Sequence, residues 1–319
     1  MTSSTPAVTH ASPIPAQARD QGYHTRATWI AMGSCAAACV LVGTSFSVAH
    51  LLSAYPYTTG QALRYALAAL VLAALVCTRE HDARRSLTVL GARGWIRVAA
   101  LAGAGAVGFN LAILAAERTA QPAVPGVVVG CSPLVIAVLI PLLGRRRPTP
   151  RIAAAALLVV AGAAVVQGLG HSNPTALAYS ALALAGEVSF SLLALPLLKL
   201  ISPLTLSACV CAAAAIEASV ISLAMGGPAA WRLPDPAQAA AIAWQALPVT
   251  VLAFCWWYAG LRRLGPERAQ LFIGLMPITA AASGQLFGAG APGWPQLTGS
   301  ALVASGVILG SISTRQKRP

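Results

Sequence analysis

The sequence predicts an all-α membrane protein with ten transmembrane helices in two inverted five-helix repeats. Composition is the first indication, because 57% of the 319 residues are hydrophobic and only 9% are charged. This leaves too little polar surface to cover a soluble globular domain. The other indications are the placement of basic residues along the chain and an internal similarity at an offset of 144 residues.

Ten apolar blocks have the length that a membrane-spanning helix needs, about 20 residues. They cover residues 28–52, 59–78, 95–116, 121–143, 151–169, 176–198, 203–226, 239–260, 266–288 and 293–313. The blocks lack the two-residue alternation of hydrophobic and polar side chains that a barrel strand requires, and the connectors between them are short. Helices are therefore predicted rather than barrel strands.

Basic residues are concentrated in alternate connectors and in the terminal segments, so that 18 of the 21 Lys and Arg fall on one side of the predicted membrane. The opposite side has Arg118 and Arg232, and Arg64 lies inside the second block. By the positive-inside rule, this distribution predicts a multi-pass protein of the plasma or inner membrane with both termini in the cytoplasm. The net charge of +13 is thus explained by membrane topology, and we expect no nucleic-acid partner.

The two halves of the chain match when the sequence is shifted by 144 residues without a gap. Ser45-Phe46-Ser47 then aligns with Ser189-Phe190-Ser191. Other aligned pairs are Pro122 and Pro266, Pro133 and Pro277, Gly144 and Gly288, and Gly162 and Gly306. Because each unit holds an odd number of spans, the second unit is predicted to be inverted relative to the first.

The predicted domains are a first five-helix unit at residues 28–170 and a second at residues 171–313. A tail at residues 1–27 precedes them, and its Ser, Thr, Pro and Ala content without an apolar stretch predicts a disordered cytoplasmic segment. Residues 314–319 form a second cytoplasmic tail.

Several short motifs resemble the EamA domains of the drug/metabolite transporter superfamily. In the first unit they are Gly43-Thr44-Ser45-Phe46, the segment from Leu63 to Ala69, and the run from Cys131-Ser132-Pro133 to Gly162. In the second unit they are the segment from Gly265 to Ala269, Met276-Pro277 and Ser305-Gly306. Family members often carry a Gly-Glu-Arg-like turn after the fourth and ninth helices. This chain instead has Gly144-Arg145-Arg146 and Gly288-Ala289-Gly290, so no role of that acidic residue is carried over.

The resemblance implies a secondary transporter, without enzymatic activity, that moves small organic metabolites, amino acids or drugs by alternating access. The expected partners are a small-molecule substrate, bilayer lipids and coupling protons, and we expect a monomer or a homodimer. No cofactor or metal is expected, because the five histidines are scattered and the chain has no nucleotide-binding or hydrolase motif. The alternatives are a membrane-embedded enzyme acting on a lipid-linked substrate and a non-transporting sensor or partner subunit.

Glu187 is the first candidate for substrate binding and for proton coupling. An ionisable side chain at the middle of a membrane-spanning helix costs about 2.5–3.5 kcal/mol and so needs a reason. Phe190 and Ser191 share its helix face, and Phe46 and Ser47 form the matching stripe on the first helix. These residues predict the wall of a substrate pocket between the repeats. The alternative is a hydrogen-bonded acid that only holds helices together.

Four further residues belong to the predicted site or its surroundings. Glu217 is a candidate for a second proton-coupling site or for a packing role. Asn110 lies in the outer half of the third helix, where its amide faces either water or a neighbouring helix. Trp256 is the candidate for stacking on substrate, although the sequence does not separate it from Trp257. Arg64 is expected to anchor at the membrane interface or to pair with another group, rather than to contact the substrate.

Two kinds of feature predict helix geometry. Pro133 and Pro277 lie within predicted helices at equivalent positions of the repeats, where each removes a backbone hydrogen bond, and we expect bends there. The spacing of Gly306 and Gly310 predicts close helix packing, either within the chain or at a dimer surface of the tenth helix.

Alkaline phosphatase fusions test the predicted topology, because the enzyme is active only outside the cytoplasm. Fusions after Arg146 and Arg318 should be inactive, whereas a fusion after Arg232 should be active. High activity at Arg146, or none at Arg232, would contradict the assignment of both termini to the cytoplasm.

Overall fold

Helices make up the fold throughout the described part of the chain. The computed structural model describes residues 16–80, 87–118, 123–168, 173–285 and 293–311, and the side chains of Phe46 and Ser47 are outside this description. Ten long helical segments and no strand occur within these ranges. The ten segments correspond to the ten predicted apolar blocks.

The segments are labelled α1 to α10 in chain order. They are α1 (Ala16–Val48), α2 (Tyr57–Arg79), α3 (Gly91–Glu117), α4 (Ala123–Gly130 followed by Ser132–Leu143), α5 (Pro150–Gln167), α6 (Pro174–Leu197), α7 (Pro203–Gly226), α8 (Pro236–Leu264), α9 (Pro266–Ala269, a 3-10 stretch at Gln270–Gly274, then Leu275–Gln285) and α10 (Trp294–Ser311). Proline opens α5 to α8, at positions where a missing N–H removes no helical hydrogen bond. Side chains of Asn173, Ser202 and Asp235 cap the starts of α6, α7 and α8.

Seven of the described helices, namely α1 to α4 and α6 to α8, are long and apolar enough to cross a membrane. Two more, α5 and α10, contain the shorter apolar helices Pro150–Val166 and Leu297–Gly310. The remaining helix, α9, changes to a 3-10 stretch after Ala269, and its predicted block extends to residues outside the described ranges. The described chain is thus that of an all-helical membrane protein.

The first helix begins earlier than the sequence analysis predicts. Residues 16–27 were expected to be disordered, but they continue α1 from its start at Ala16. Alanine, glutamine and arginine in this stretch have high helix propensity, which explains the extension. Residues 1–15, the predicted domain boundary between residues 170 and 171, and the tail at 314–319 lie outside the described residues.

Helices α2 and α7 pack against each other and are joined by side-chain hydrogen bonds near both ends. At one end, Glu80 accepts hydrogen bonds of 2.5 Å from the hydroxyls of Ser202 and Thr205. This places the carboxyl at the N-terminus of α7, where a negative charge interacts favourably with the helix dipole. At the other end, the hydroxyl oxygens of Thr59 and Ser222 are 2.7 Å apart. The two helices are therefore held in register.

Glycines allow α5 and α10 to approach closely, and the contact is reciprocal. A Cβ atom added to Gly162 would lie 2.6 Å from the carbonyl oxygen of Gly299. One added to Gly306 would lie 2.7 Å from the carbonyl oxygen of Ala155. Gly162 and Gly306 are 144 positions apart, and so are Ala155 and Gly299. The face of Gly306 and Gly310 therefore packs within the chain, against α5 and α9.

Irregular helical turns occur at equivalent positions of the two halves. Two π-helical stretches interrupt α3 and α8, at Gly103–Gly108 and Leu247–Leu252, and they begin 144 positions apart. A turn at Cys131 precedes Pro133 in α4, and the 3-10 stretch of α9 precedes Pro277. Such turns redirect the helix and the side chains that follow. Both prolines that were predicted to bend helices thus lie just after an interruption of regular α-helix.

Substitution of the two contact glycines tests the packing of α5 against α10. Gly162→Ala and Gly306→Ala should each destabilise the protein by about 1–3 kcal/mol through overpacking against backbone atoms. Gly33→Ala is the control, since a Cβ atom there meets nothing within 4 Å. Thermal unfolding in detergent measures all three variants. Equal stability of the three would contradict the close contact.

Candidate functional site

A cavity of about 140 Å³ lies between α1, α2, α3, α6, α8 and α9. One molecule of liquid water occupies about 30 Å³, so several waters or a small organic molecule fit in this space. Its lining consists of Ala38, Cys39, Val42, Ser45, Arg64, Tyr65, Gly105, Ala106, Phe109, Asn110, Ile113, Glu187, Phe190, Ala253, Phe254, Trp257 and Met276. Three of the six helices come from the first predicted unit and three from the second. The cavity therefore lies between the two halves of the chain.

The lining residues follow helical periodicity, which explains how the sequence builds the cavity. On α1, Ala38, Val42 and Ser45 recur at intervals of four and three residues and so share one face. Glu187 and Phe190 are three residues apart on α6 and share a face in the same way. Small residues on α1, α3 and α8, among them Ala38, Gly105 and Ala253, alternate with the larger lining side chains.

Glu187 is positioned by a close contact between α6 and α3. A Cβ atom on the preceding Gly186 would lie 2.7 Å from the carbonyl oxygen of Ala104, so the two backbones are in direct contact. The Glu187 carboxyl lies near Cys39 of α1 and the amide of Gln270 of α9. The predicted acid thus lines the cavity where three helices meet.

Arg64 also lines the cavity, which the sequence analysis did not predict. Its side chain is only 9% exposed, and Nε donates a 2.8 Å hydrogen bond to Oγ1 of Thr250 on α8. A 3.5 Å hydrogen bond runs from Nη1 to Oε1 of Gln61, and the guanidinium lies 5.2 Å from the centre of the Tyr65 ring. Arg64 thus has hydroxyl, amide and aromatic partners inside the bundle, which agrees with the expected pairing role. Both acceptors are neutral, so these hydrogen bonds leave its positive charge uncompensated.

Asn110 both faces the cavity and joins α3 to α2. Its Nδ2 donates to the hydroxyl of Tyr65 at 3.2 Å and to the carbonyl of Ala106 at 2.7 Å. Its side-chain oxygen accepts a 3.4 Å hydrogen bond from the hydroxyl of Tyr57. The two predicted roles, bonding to a neighbouring helix and facing a polar space, are thus combined in one side chain.

Aromatic rings form one wall of the cavity. The rings of Phe190 and Phe254 have centroids 5.1 Å apart in an edge-to-face arrangement. Phe190 also stacks on Tyr258 at 5.3 Å. These distances are typical of favourable aromatic pairs, so Tyr258 supports the rings of Phe190 and Phe254, which line the cavity.

Trp257, rather than Trp256, completes this wall. Trp257 is 6% exposed and lines the cavity, whereas Trp256 is 37% exposed and is not among the lining residues. Successive residues of a helix point about 100° apart, so the two rings face different directions, and Trp256 does not join the lining. The Nε1 donor of Trp257 is buried without a partner among the described residues.

Three other predicted site residues do not belong to the described lining, and the side chains of a further two are not described. Ser191 is fully buried and donates a 3.3 Å hydrogen bond to Oε1 of Gln270. Glu217 lies in a separate groove between α3 and α7, and Trp256 is at the outer surface. Phe46 and Ser47 are on α1, but their side chains lie outside the description.

The structure thus brings Glu187, Phe190 and Asn110 together and adds Arg64 and Trp257.

The arrangement combines an acid, a guanidinium, an amide and an aromatic wall around one small space. Glu187 can bind an ammonium group or a proton, Arg64 can bind an anionic or carbonyl group, and the rings can contact an apolar or aromatic body. Among the described residues, no group of three His, Cys, Asp or Glu comes together as a metal site would require. The acid, the guanidinium, the amide and the rings together suit the site to binding a small organic molecule.

Comparison with known proteins identifies the fold but no family. A solved chain described as "Crystal structure of protein" superposes with a TM-score of 0.74 and 21% sequence identity, and the match covers 89% of this chain and 96% of the other. No family profile and no curated protein sequence matches. At this identity the similarity shows a shared fold alone.

The contact between Arg64 and Thr250 can be tested through stability. Thr250→Val removes the acceptor but preserves the side-chain shape, and loss of a hydrogen bond to a buried charged group should cost about 1.5–3 kcal/mol. Thr78→Val is the matched control, since the hydroxyl of Thr78 is exposed and bonds within its own helix. A Thr250→Val variant as stable as Thr78→Val in thermal unfolding would contradict the role assigned to this hydrogen bond.

Proposed function

We propose that the chain is a secondary transporter of the EamA type, in the drug/metabolite transporter superfamily. It exports small organic metabolites, amino acids or drugs across the plasma or inner membrane, with protons as the coupling ion. The observation that carries this proposal is the cavity between the two halves of the chain, where Glu187 and Arg64 face a common space lined by aromatic rings. Ionisable side chains inside a membrane protein commonly mark the path of a substrate or a proton.

The proposed architecture is ten spans in two inverted five-helix repeats, with both termini in the cytoplasm. It is supported by the π-helical stretches, which begin 144 positions apart, and by the reciprocal contacts of Gly162 and Gly306. Helix pairing supports it too, because α1 packs against α8 and α9, and α6 packs against the equivalent helices α3 and α4. A transporter of this construction places its substrate where the repeats meet.

The proposed mechanism is alternating access by movement of the two repeats about the cavity. Side chains on the proposed cytoplasmic side of the cavity are tightly packed and buried, among them Leu197, Tyr258, Leu261, Phe272 and Ile273. We assign this conformation to a state that is closed toward the cytoplasm. Opening on that side requires these side chains to separate, and the irregular turns of α4 and α9 provide places where the helices can bend.

In this mechanism Glu187 exchanges a proton for the substrate without covalent chemistry. An ammonium group of the substrate and a proton compete for the same carboxyl, so binding of one releases the other. Arg64, Asn110 and the Nε1 donor of Trp257 supply further contacts to the substrate. Competition at a single acid is sufficient to couple export of an amine-bearing molecule to proton entry.

Transport measurements on Glu187→Gln test the proposal. The protein is reconstituted into liposomes, a pH gradient is imposed or collapsed, and uptake of radiolabelled compounds is recorded across a panel of amines, amino acids, nucleosides and cytotoxic compounds. Wild-type protein should respond to at least one class only while the gradient is present. Glu187→Gln should reduce that response about tenfold or more, a loss equivalent to about 1.4 kcal/mol.

Glu117→Gln is the matched control, because it makes the same substitution at an exposed position at the end of α3. It should transport like the wild type. Normal transport by Glu187→Gln with unchanged pH dependence would overturn the assignment of Glu187.

A further inference from the structure

A second acidic site lies on the outside of the bundle, in a groove between α3 and α7. The groove has a volume of about 400 Å³ and contains the side chain of Glu217. Its other lining residues are Gly103, Val107, Gly108, Leu111, Ile216, Val220 and Ile221. None of these residues lines the described part of the central cavity, so the groove is a separate space.

Glycines in the π-helical stretch of α3 make room for the Glu217 carboxyl. A Cβ atom on Gly103 would lie 3.1 Å from Oε2 of Glu217, so the carboxyl packs directly against the backbone there. A Cβ atom on Gly108 would lie 2.6 Å from the carbonyl oxygen of Gly103, which excludes larger residues at that position. The groove thus depends on the irregular geometry of α3, and the acid lies at its floor.

The groove opens at the lateral surface of the bundle. Ile216 and Val220, on the edge formed by α7, are 66% and 60% exposed. Glu217 lies near the middle of α7, and α7 is one of the seven helices that can cross a membrane. In that orientation the groove faces the hydrocarbon of the bilayer, so its ligands arrive from the lipid phase.

Charge determines which ligand fits this groove. Oε2 of Glu217 is buried without a hydrogen-bond partner among the described residues. A carboxylate in such surroundings is strongly disfavoured unless a cation or a donor pairs with it. The other described lining residues are apolar or glycine and supply no such group, so the place is open to a group on a ligand. A hydrocarbon-soluble molecule with a cationic head meets both requirements.

We propose that the groove between α3 and α7 binds a lipophilic amine that enters from the bilayer. The ammonium group pairs with the Glu217 carboxylate, and the hydrocarbon chain lies along Val107, Leu111 and Val220. This site does not depend on transport through the central cavity, so either proposal can fail while the other holds.

Photo-crosslinking tests the site on the full-length protein in phosphatidylcholine nanodiscs. The probe is a long-chain primary amine with a diazirine in its chain, and the matched neutral probe is the corresponding alcohol. Peptide mass spectrometry locates the attached probe. The amine should label peptides of α3 and α7, and the alcohol should label them about tenfold less, because it lacks the positive charge that pairs with the carboxylate.

Four variants separate the possible outcomes. Glu217→Gln should lower amine labelling of the groove to the level of the alcohol, and Val220→Trp should block it sterically while leaving the carboxyl in place. Leu70→Trp, at a position 71% exposed on α2, controls for an added indole and should label normally. Glu187→Gln should also label normally, because the central cavity is a different site.

Two results would overturn the proposal. Equal labelling of the wild type and Glu217→Gln would mean that the groove holds only a hydrocarbon chain. Loss of labelling in Glu187→Gln but not in Val220→Trp would place the amine in the central cavity. Size-exclusion profiles and thermal unfolding confirm that each variant is folded, and either groove variant alone suffices if the other does not fold.

Discussion

The structure depends on one constraint: hydrocarbon does not solvate polar groups, so the protein must satisfy them internally. In a helix, the backbone N–H and C=O groups form hydrogen bonds with each other. The polar side chains near the middle of the bundle form hydrogen bonds between helices. Arg64 donates to Thr250, and Asn110 donates to Tyr65, in each case across two helices. Glu187 shares the same central space. The cavity follows from this arrangement, because a polar cluster that is not fully paired needs water or a ligand to complete it.

Close backbone contacts and irregular turns determine where that cluster forms. The π-helical stretches at Gly103–Gly108 and Leu247–Leu252 each face an ionisable side chain on the α2 and α7 pair. Arg64 of α2 bonds Thr250 within the second stretch, and Glu217 of α7 lies against Gly103 within the first. The guanidinium of Arg64 is hydrogen-bonded inside the bundle. The carboxyl of Glu217 lies in a groove at the surface, and its Oε2 atom has no hydrogen-bond partner among the described residues. Similar backbone geometry thus supports two different sites.

Composition and periodicity were sufficient to predict a helical membrane protein. They also placed Glu187, Phe190 and Asn110 at the cavity, because a polar or aromatic residue in an apolar helix is a strong local signal. The place of Arg64 at the cavity was not predicted, since its acceptor Thr250 is 186 residues away and only the fold brings them together. Sequence could not choose between Trp256 and its neighbour, because their orientation depends on the π-helical stretch that precedes them. Contacts between distant helices therefore account for most of what the sequence did not predict.

The central claim is that the cavity opens alternately to the two sides of the membrane, and thiol labelling tests it most directly. In a variant with the seven native cysteines replaced, Ile113→Cys places one thiol in the cavity lining. Leu182→Cys, at an exposed position on α6, is the control. A membrane-impermeant maleimide should label Ile113→Cys in both right-side-out and inside-out vesicles and should label Leu182→Cys in neither. Labelling of Ile113→Cys from one side only, whatever pH gradient is imposed, would contradict alternating access.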